Sequence, residues 1–182
     1  MPKEPLTKDE QELVLKYAQE FDSKNGGWSD VSVYKTILFF LETGIHPESL
    51  SKKGNVNITK DKSEYKLSWK RTKKKGLDAV TVIHVPSKLE SWIKDYLYTS
   101  ILTDRRYYWE MCKDLRDYIN IKMGDNVPIT IKDLCPMMLR HTFAINRLND
   151  GIDPYEIQQL MNCSMSTLRF YLRRRTSMLR RW

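Results

Sequence analysis

The sequence predicts a mainly α-helical fold with a small antiparallel β-sheet, in the α+β class. Before residue 44 and after residue 87, apolar residues recur at the three- and four-residue spacing of amphipathic helices. Between Val56 and Val85, apolar and polar residues alternate as they do in strands. With 182 residues, 41% of them apolar, the chain can bury one substantial core, so we expect a single domain over 1–182.

Two helices are predicted in the first part of the chain. Thr7 and Glu10 form a capping-box pattern that begins the first helix, which is expected to end at the glycine turn 25–27. Ser29 is expected to cap the second helix, and Gly44 is expected to end it.

The predicted sheet lies between the two helical regions. Leu67 and Trp69 alternate with polar residues in one strand, and Val80 and Val82 do so in the next. The hairpin that joins these strands carries the basic run 71–76, whose tip is expected to project outwards.

Further helices are predicted after the sheet. Asp104 is expected to cap one helix, and Pro136 suits the first turn of another that stops at Gly151. Asp153 is expected to cap the helix that follows, and Ser166 to cap the last one.

Positive charge is clustered along the chain. The formal net charge is +8, and the cations concentrate in the segments 70–75 and 173–181. Such clusters are typical of proteins that bind the phosphate backbone of a nucleic acid, although a single run is equally typical of a solvated surface. Charge alone does not distinguish DNA from RNA.

Several other classes of protein are disfavoured. Cys112, Cys135 and Cys163 are widely spaced and odd in number, so they predict neither a disulfide framework nor a zinc site. No metal-ligand cluster and no glycine-rich phosphate loop is found. The polar N-terminus and the short apolar run 37–41 predict no signal peptide and no membrane segment, so a soluble, intracellular and cytoplasmic protein is expected.

Motifs in the second half of the chain carry a family resemblance. The sequence LRHTFA at 139–144 is followed by GID at 151–153, LM at 160–161 and a tyrosine at position 171. Upstream, LETGIHPESL at 41–50 has the form of a helix end and turn. In this order and at nearly this spacing, the motifs resemble those of the tyrosine recombinase (phage integrase) family.

The resemblance extends over about 6–175, and the order of two helices, a small sheet and further helices matches a tyrosine recombinase catalytic domain. A basic tail at 173–182 overlaps its end. The family's separate N-terminal DNA-clamping domain is not found in the sequence. The resemblance therefore implies either a stand-alone catalytic-type domain or a piece of a larger integrase, with an origin in a virus or another mobile genetic element.

The resemblance also implies a reaction that needs no metal and no cofactor. In this family a tyrosine oxygen attacks a DNA phosphodiester and leaves a covalent 3′-phosphotyrosine. Carried over by position, Tyr171 is the nucleophile and Arg140 is the second of two phosphate-holding arginines. Lys73 is the acid that protonates the leaving oxygen, with Lys74 or Lys75 as alternatives.

Three positions depart from the family pattern. His46 stands in place of the first arginine, Met137 in place of a histidine, and Cys163 in place of a later histidine. An imidazole can donate one hydrogen bond and a thiol is a weak donor, whereas a thioether donates none. Because losing one preorganised donor costs about a hundredfold to a thousandfold in rate, we expect reduced or lost activity. His141 is expected to be structural.

The partner that the resemblance implies is double-stranded DNA. Phosphate contacts are expected from cations of the hairpin and of the last helix, namely Lys70, Arg71, Lys74, Lys75, Arg169, Arg173 and Arg174. Family members exchange a carboxyl-terminal tail between protomers, so the basic tail predicts self-association on DNA. An ordinary surface helix or a frayed tail is the alternative.

A second interpretation is a DNA-binding protein without catalysis. The segment 157–169 has the cadence of a helix-turn-helix, with a polar recognition helix after Ser166. The altered positions favour such a regulator or accessory protein, whereas the LRHTFA motif favours a recombinase. Whether the tyrosine becomes linked to DNA distinguishes the two.

Overall fold

A computed structural model describes residues 3–27, 31–50, 56–61, 64–70, 80–84, 87–90, 105–161 and 163–179. The helices in this part of the chain are α1 (Lys8–Asn25), α2 (Val33–Thr43), α3 (Pro47–Leu50), α4 (Arg105–Met123), α5 (Pro136–Asn149), α6 (Pro154–Met161) and α7 (Met165–Leu179). The strands are β1 (Val56–Asp61), β2 (Glu64–Lys70) and β3 (Val80–His84). Short 3-10 turns occupy Ser87–Leu89, Gly124–Asn126 and Ile131–Asp133. The predicted fold class is confirmed.

The predicted limits of α1 are confirmed. Thr7 Oγ1 accepts a hydrogen bond from the Glu10 backbone N–H at 3.2 Å, and Glu10 Oε2 accepts one from the Thr7 N–H at 2.7 Å. At the other end, Gly26 has a left-handed backbone with φ of 69°, and its N–H donates to the carbonyl of Asp22. Both caps act within a few residues, which is why the sequence reveals them.

The prediction that Ser29 caps α2 is wrong. Ser32 occupies the cap, and its hydroxyl accepts from the Lys35 N–H at 3.1 Å. The carboxylate of Asp22, on α1, accepts the N–H groups of Val33 and Tyr34 at 2.8 and 3.0 Å. A side chain from a neighbouring helix thus satisfies donors that would otherwise be unpaired, and this contact moves the start of α2. Ser29 itself lies outside the described residues.

The start of α7 also differs from the prediction. Ser164 caps it, because its hydroxyl accepts from the Thr167 N–H at 3.2 Å, whereas the predicted cap Ser166 lies inside the helix. The hydroxyl groups of the two serines are 2.7 Å apart. The predicted cap of α6 agrees with the structure, where Asp153 accepts from the Tyr155 N–H at 2.7 Å. The cap predicted at Asp104 lies outside the described residues.

The sheet is antiparallel, with the order β1-β2-β3. Val56 of β1 lies opposite Trp69 of β2, and Leu67 of β2 lies opposite Ile83 of β3. Leu67 and Trp69 are buried, so the period-two pattern places one face of β2 on the core. The tip that joins β2 to β3 lies outside the described residues.

The helix α5 connects two buried clusters. On one side it packs against α2, where Phe40 meets Tyr108 of α4 edge to face at 5.3 Å between ring centroids. On the other side it packs against α6 and α7 through Phe143, Ile157 and Tyr171. The sequence 173–182, predicted as a tail, begins within α7, which remains helical to Leu179. In the described part of the chain, no helix is long and apolar enough to cross a membrane.

Candidate active site

A cavity of about 430 Å³ opens where the turn after α2, helix α5 and helix α7 meet. Its lining residues are His46, Met137, Arg140, His141, Ser166, Thr167, Phe170 and Tyr171. The three residues from α5 share one face because their spacing is three and four, and the four from α7 follow the same helical period. The cavity therefore joins parts of both motifs that the sequence singles out.

Arg140 anchors the cavity. Its side chain is only 6% exposed, and the guanidinium donates to the carbonyls of Gly44 and Met161. These carbonyls belong to the carboxyl ends of α2 and α6, so one side chain joins three helices. Burial lowers the pKa of Arg140, but a guanidinium stays charged at neutral pH because its ordinary pKa is so high.

Gly44 makes this connection sterically feasible. Its φ of 58° lies in the left-handed region, and its N–H closes α2 by donating to the Phe40 carbonyl at 3.0 Å. A Cβ at this position would overlap the ring of Phe143 on α5. The close approach of the two helices places the turn that carries His46 beside Arg140.

Tyr171 lies at the buried wall of the cavity. Its side chain is 1% exposed, and its Oη is 2.7 Å from Nδ1 of His141. Burial raises the pKa of Tyr171, while the charge of Arg140 acts in the opposite direction. The hydroxyl is therefore protonated at neutral pH and is held in a hydrogen bond.

His141 is the residue whose position the sequence interpretation missed. The LRHTFA motif suggested a structural histidine, yet the side chain lines the cavity and contacts the Tyr171 hydroxyl. Burial and, to a smaller extent, the charge of Arg140 lower the pKa of His141 to about 4. The imidazole is therefore neutral at pH 7. The only signal in the sequence is its place next to Arg140, which does not reveal a contact with a residue 30 positions later.

The altered positions do not lie equally close to the cavity. His46 and Met137 line it, and the Glu48 N–H donates to Nδ1 of His46 at 3.2 Å, so neutral His46 carries its proton on Nε2. Cys163 is half-buried and is not among the described residues that line the cavity. Burial raises the pKa of its thiol, against the charge of Arg140, so the thiol is protonated at neutral pH.

The predicted phosphate-binding cations are only partly described. Arg169 and Arg173 are exposed on α7. Arg174 is ion-paired with Glu4, and its guanidinium lies 5.5 Å from the centre of the Phe170 ring. Lys70 ends β2, but its side chain is outside the described residues. Also outside them are Arg71, Lys73, Lys74 and Lys75.

Metal-ligand side chains are scattered in the described ranges. No group of three or more His, Cys, Asp and Glu residues there is arranged to hold a metal ion. Among the described residues, the ionisable groups that line the cavity are a guanidinium, two imidazoles and a phenol, beside the hydroxyls of Ser166 and Thr167.

No protein-family model and no curated protein matches this sequence. Solved structures do match it. A structure of the XerH site-specific recombinase, bound to a palindromic difH substrate after cleavage, matches with a TM-score of 0.69 and 16% identity over 98% of this chain. The Tn1549 transposon integrase, in complex with transposon right-end DNA, matches with a TM-score of 0.62 and 18% identity over 95% of this chain. A structure of the XerA recombinase gives a TM-score of 0.60 and 21% identity over 92%.

These structures confirm the predicted architecture, and the chain has the fold of a tyrosine recombinase catalytic domain. The chain spans 52% of the XerH chain, 61% of the Tn1549 integrase and 57% of XerA. The match thus covers nearly all of this chain and about half to three fifths of each of the others.

Proposed function

We propose that this chain, on its tyrosine recombinase catalytic-domain fold, binds double-stranded DNA and cleaves and rejoins strands through a 3′-phosphotyrosine. The observation that carries the proposal is the shared cavity of Arg140 and Tyr171, in which a phenol lies beside a buried cation. The neighbours XerH and the Tn1549 integrase have this fold and are described in complex with DNA, which supports the same partner here.

Arg140 is suited to hold a phosphate. A guanidinium has five N–H donors in a fixed plane, and the carbonyls of Gly44 and Met161 fix that plane in the cavity. Donors fixed before the substrate arrives stabilise the charge that develops on phosphate oxygens without reorganising. In this proposal Arg140 binds the non-bridging oxygens.

Tyr171 is the nucleophile in this proposal. Its Oη forms a bond to phosphorus, the bond from phosphorus to the 5′ oxygen breaks, and the free 5′ oxygen takes a proton. Lys73, assigned from the family resemblance, supplies that proton. Since burial keeps the phenol protonated, the Oη proton must leave during the attack.

The site should be slower than one with the full set of cationic donors. His46 can donate one hydrogen bond from Nε2, and Met137 donates none. Each lost donor costs about a hundredfold to a thousandfold in rate. Slow covalent chemistry with retained DNA binding is therefore the expected behaviour.

Helix α7 offers a route for DNA to the cavity. Ser166 lines the cavity, and Arg169 and Arg173 follow it at spacings of three and seven, on the same helical face. Both arginines are exposed, whereas Arg174 is ion-paired with Glu4. We therefore assign the backbone-phosphate contacts of α7 to Arg169 and Arg173. Exchange of the 173–182 segment between DNA-bound copies, and an origin in a mobile genetic element, extend the same proposal.

A second candidate function is DNA binding without strand cleavage, as in a regulator or accessory protein. It is favoured by Met137 in the cavity wall, which donates no hydrogen bond, and by the near-complete burial of Tyr171.

The test uses nicked DNA duplexes that carry candidate sites and trap the covalent product. Denaturing gels should show a protein-DNA adduct with the native chain and with Tyr118→Phe, but none with Tyr171→Phe. Tyr118 is a matched control because its hydroxyl is also hydrogen-bonded, to Glu20 on the outer surface. Salt-sensitive DNA binding without any adduct would favour the second candidate, and a lack of DNA binding would exclude both.

A companion binding experiment tests the assignment on α7. Arg169→Gln and Arg173→Gln should each lower the slope of log affinity against log salt by about 0.9, the value expected for one phosphate contact. Lys113→Gln is the control, because this exposed lysine lies on α4, away from the cavity. Unchanged slopes for both arginine variants would remove α7 from the DNA interface.

A further inference from the structure

We propose that His141 is the base that takes the proton of Tyr171 as the phenol attacks the phosphate. This inference rests on the proposed strand-cleaving function and adds the destination of the proton. Within the described part of the chain, His46 and His141 are the two imidazoles that line the cavity, whereas Met137 in the same wall has no basic atom.

The distance favours His141. Its Nδ1 lies 2.7 Å from Tyr171 Oη, within the range of about 2.6 to 3.2 Å over which a general base takes a proton. Nδ1 of His46, in contrast, already accepts a hydrogen bond from the Glu48 N–H. Phe170 packs against the His141 ring, with 6.3 Å between ring centroids, and helps to fix its orientation.

The proposed step balances in atoms and charge. The Oη–H bond of Tyr171 breaks and its proton goes to the lone pair of His141 Nδ1, while Oη forms a bond to phosphorus. The bond to the 5′ oxygen breaks, and that oxygen keeps the electron pair and is protonated by the acid. In the rejoining direction, the imidazolium returns its proton to Oη. Neutral His141 must therefore carry its proton on Nε2 before the attack.

The charged groups around His141 make its pKa depend on whether a phosphate is bound. The titratable groups that line the cavity with it, among the described residues, are Arg140 on α5, Tyr171 on α7 and His46 in the turn after α2. Burial and the charge of Arg140 hold the pKa of His141 at about 4 in the free protein. A phosphate bound to Arg140 brings negative charge that offsets the effect of Arg140, so His141 becomes a stronger base when DNA is present.

The first experiment needs no DNA and no activity. Nitrogen-15 NMR of histidine-labelled protein reports which ring nitrogen carries the proton. We expect His141 in the Nε2–H form, with an Nδ1 signal that shifts in Tyr171→Phe because the hydrogen bond is lost. A proton on Nδ1 would overturn the proposal, since that atom could then accept nothing from the phenol.

The second experiment compares rates of adduct formation. His141→Gln keeps an acceptor for the Tyr171 hydroxyl but cannot take its proton, so we expect adduct formation at least about a hundredfold slower. We also expect the rate of the native chain to fall as pH drops through the pKa of His141, and this dependence should be absent in His141→Gln. His84→Gln is the control, because His84 is an exposed histidine on β3. Cleavage by His141→Gln at the native rate would reject the base assignment.

A substrate with sulfur in place of the bridging 5′ oxygen separates the base from the acid. Its leaving group needs no proton, so it should restore cleavage by Lys73→Ala but not by His141→Gln. Restoration of His141→Gln would show that His141 serves the leaving group, against the proposal. A native chain that forms no adduct at all would instead overturn the proposed function, before any variant is compared. If His141→Gln unfolds, the NMR result on the native chain decides.

Discussion

Two polar clusters of this protein each contain a tyrosine hydroxyl and a cationic side chain, but they differ in their exposure to water. The surface cluster, between α1 and α4, consists of Glu20, Lys24, Tyr118 and Lys122. There Glu20 Oε1 accepts from Tyr118 Oη and Lys24 Nζ, each at 2.9 Å, and lies 3.2 Å from Lys122 Nζ. The buried cluster consists of Arg140, His141 and Tyr171, on α5 and α7.

Burial reverses which protonation state each cluster favours. In the surface cluster, hydrogen bonds from Lys24, Tyr118 and Lys122 lower the pKa of Glu20 to about 2, so the charged form is favoured. In the buried cluster, desolvation is the largest effect, and it lowers the pKa of His141 and raises that of Tyr171. Burial therefore holds both the phenol and the imidazole in their neutral forms, joined by the hydrogen bond between Tyr171 Oη and His141 Nδ1.

The largest effect is expected from removing the cation of the buried cluster. Arg140→Met leaves the buried carbonyls of Gly44 and Met161 without their donor, at about 1 to 3 kcal/mol each, so unfolding free energy should fall by about 2–6 kcal/mol. Urea denaturation measures this loss. Arg147→Met on the same helix is the control, since Arg147 is partly exposed and its ion pairs with Glu42 and Asp150 are 3.7 and 3.9 Å long. For Arg147→Met we expect a loss of unfolding free energy below about 1 kcal/mol. Equal losses for the two arginine variants would contradict the predicted difference between buried and exposed cations.

The next effect is a pH dependence caused by His141. Its pKa is about 4 in the folded chain and 6.5 when unperturbed, so the unfolded state binds more protons between these values. This contribution to stability is complete above pH 6.5 and is lost as pH falls towards 4, by about 3 kcal/mol in total. Urea denaturation from pH 7 to pH 4 should show a shallower loss for His141→Gln. An NMR titration of His141 with a midpoint near 6.5 would contradict the prediction.

A smaller effect is expected at the turn that supports the buried cluster. Gly44→Ala adds a Cβ that overlaps the Phe143 ring and strains a left-handed backbone, so we expect a loss of about 2–4 kcal/mol. Gly26→Ala separates the two causes, because Gly26 has φ of 69° but no atom within 4 Å of the added Cβ. For Gly26→Ala, thermal unfolding should show only the loss of stability caused by backbone strain, about 1 kcal/mol. Similar losses for both variants would mean that the contact with Phe143 relaxes.

The smallest effect is expected in the surface cluster. Glu20→Gln removes a carboxylate whose contribution is present above pH 4.5 and lost as pH falls towards 2. The urea midpoint at pH 7 should change less than in the other variants. The change should become smaller at about 1 M salt, where the screening length is about 3 Å. A salt-independent change would show that the surface cluster is stabilised by packing instead of charge.

Helix ends that depend on nearby residues were predicted correctly, whereas the start of α2, which depends on a residue of another helix, was not. The box of Thr7 and Glu10 and the stop at Gly44 agree with the sequence interpretation, because each acts within one helical turn. The prediction of Ser29 was wrong because Asp22, on another helix, satisfies the first N–H groups of α2. The predicted cap of α7, Ser166, lies two residues after the observed cap, Ser164. The sequence pattern did not distinguish between these two nearby serines.

The candidate site was only partly predictable for the same reason. The motifs indicated Arg140, Tyr171 and His46, and the structure brings all three to one cavity. Their chemical roles, and the role of Lys73, stay predictions. The contact between His141 and Tyr171 could not be derived, because it depends on how α7 packs against α5.

The sequence by itself determined the helical and strand periods and most of the element boundaries, since these depend on residues within a few positions of one another. The order of its motifs along the chain carried the family resemblance. Only the tertiary structure decided which groups lose water. Arg140 bonds to carbonyls 96 and 21 positions away, and His141 meets a hydroxyl 30 positions away. Burial in the assembled cavity, with a smaller effect of the Arg140 charge, lowers the pKa of His141, and burial raises the pKa of Tyr171.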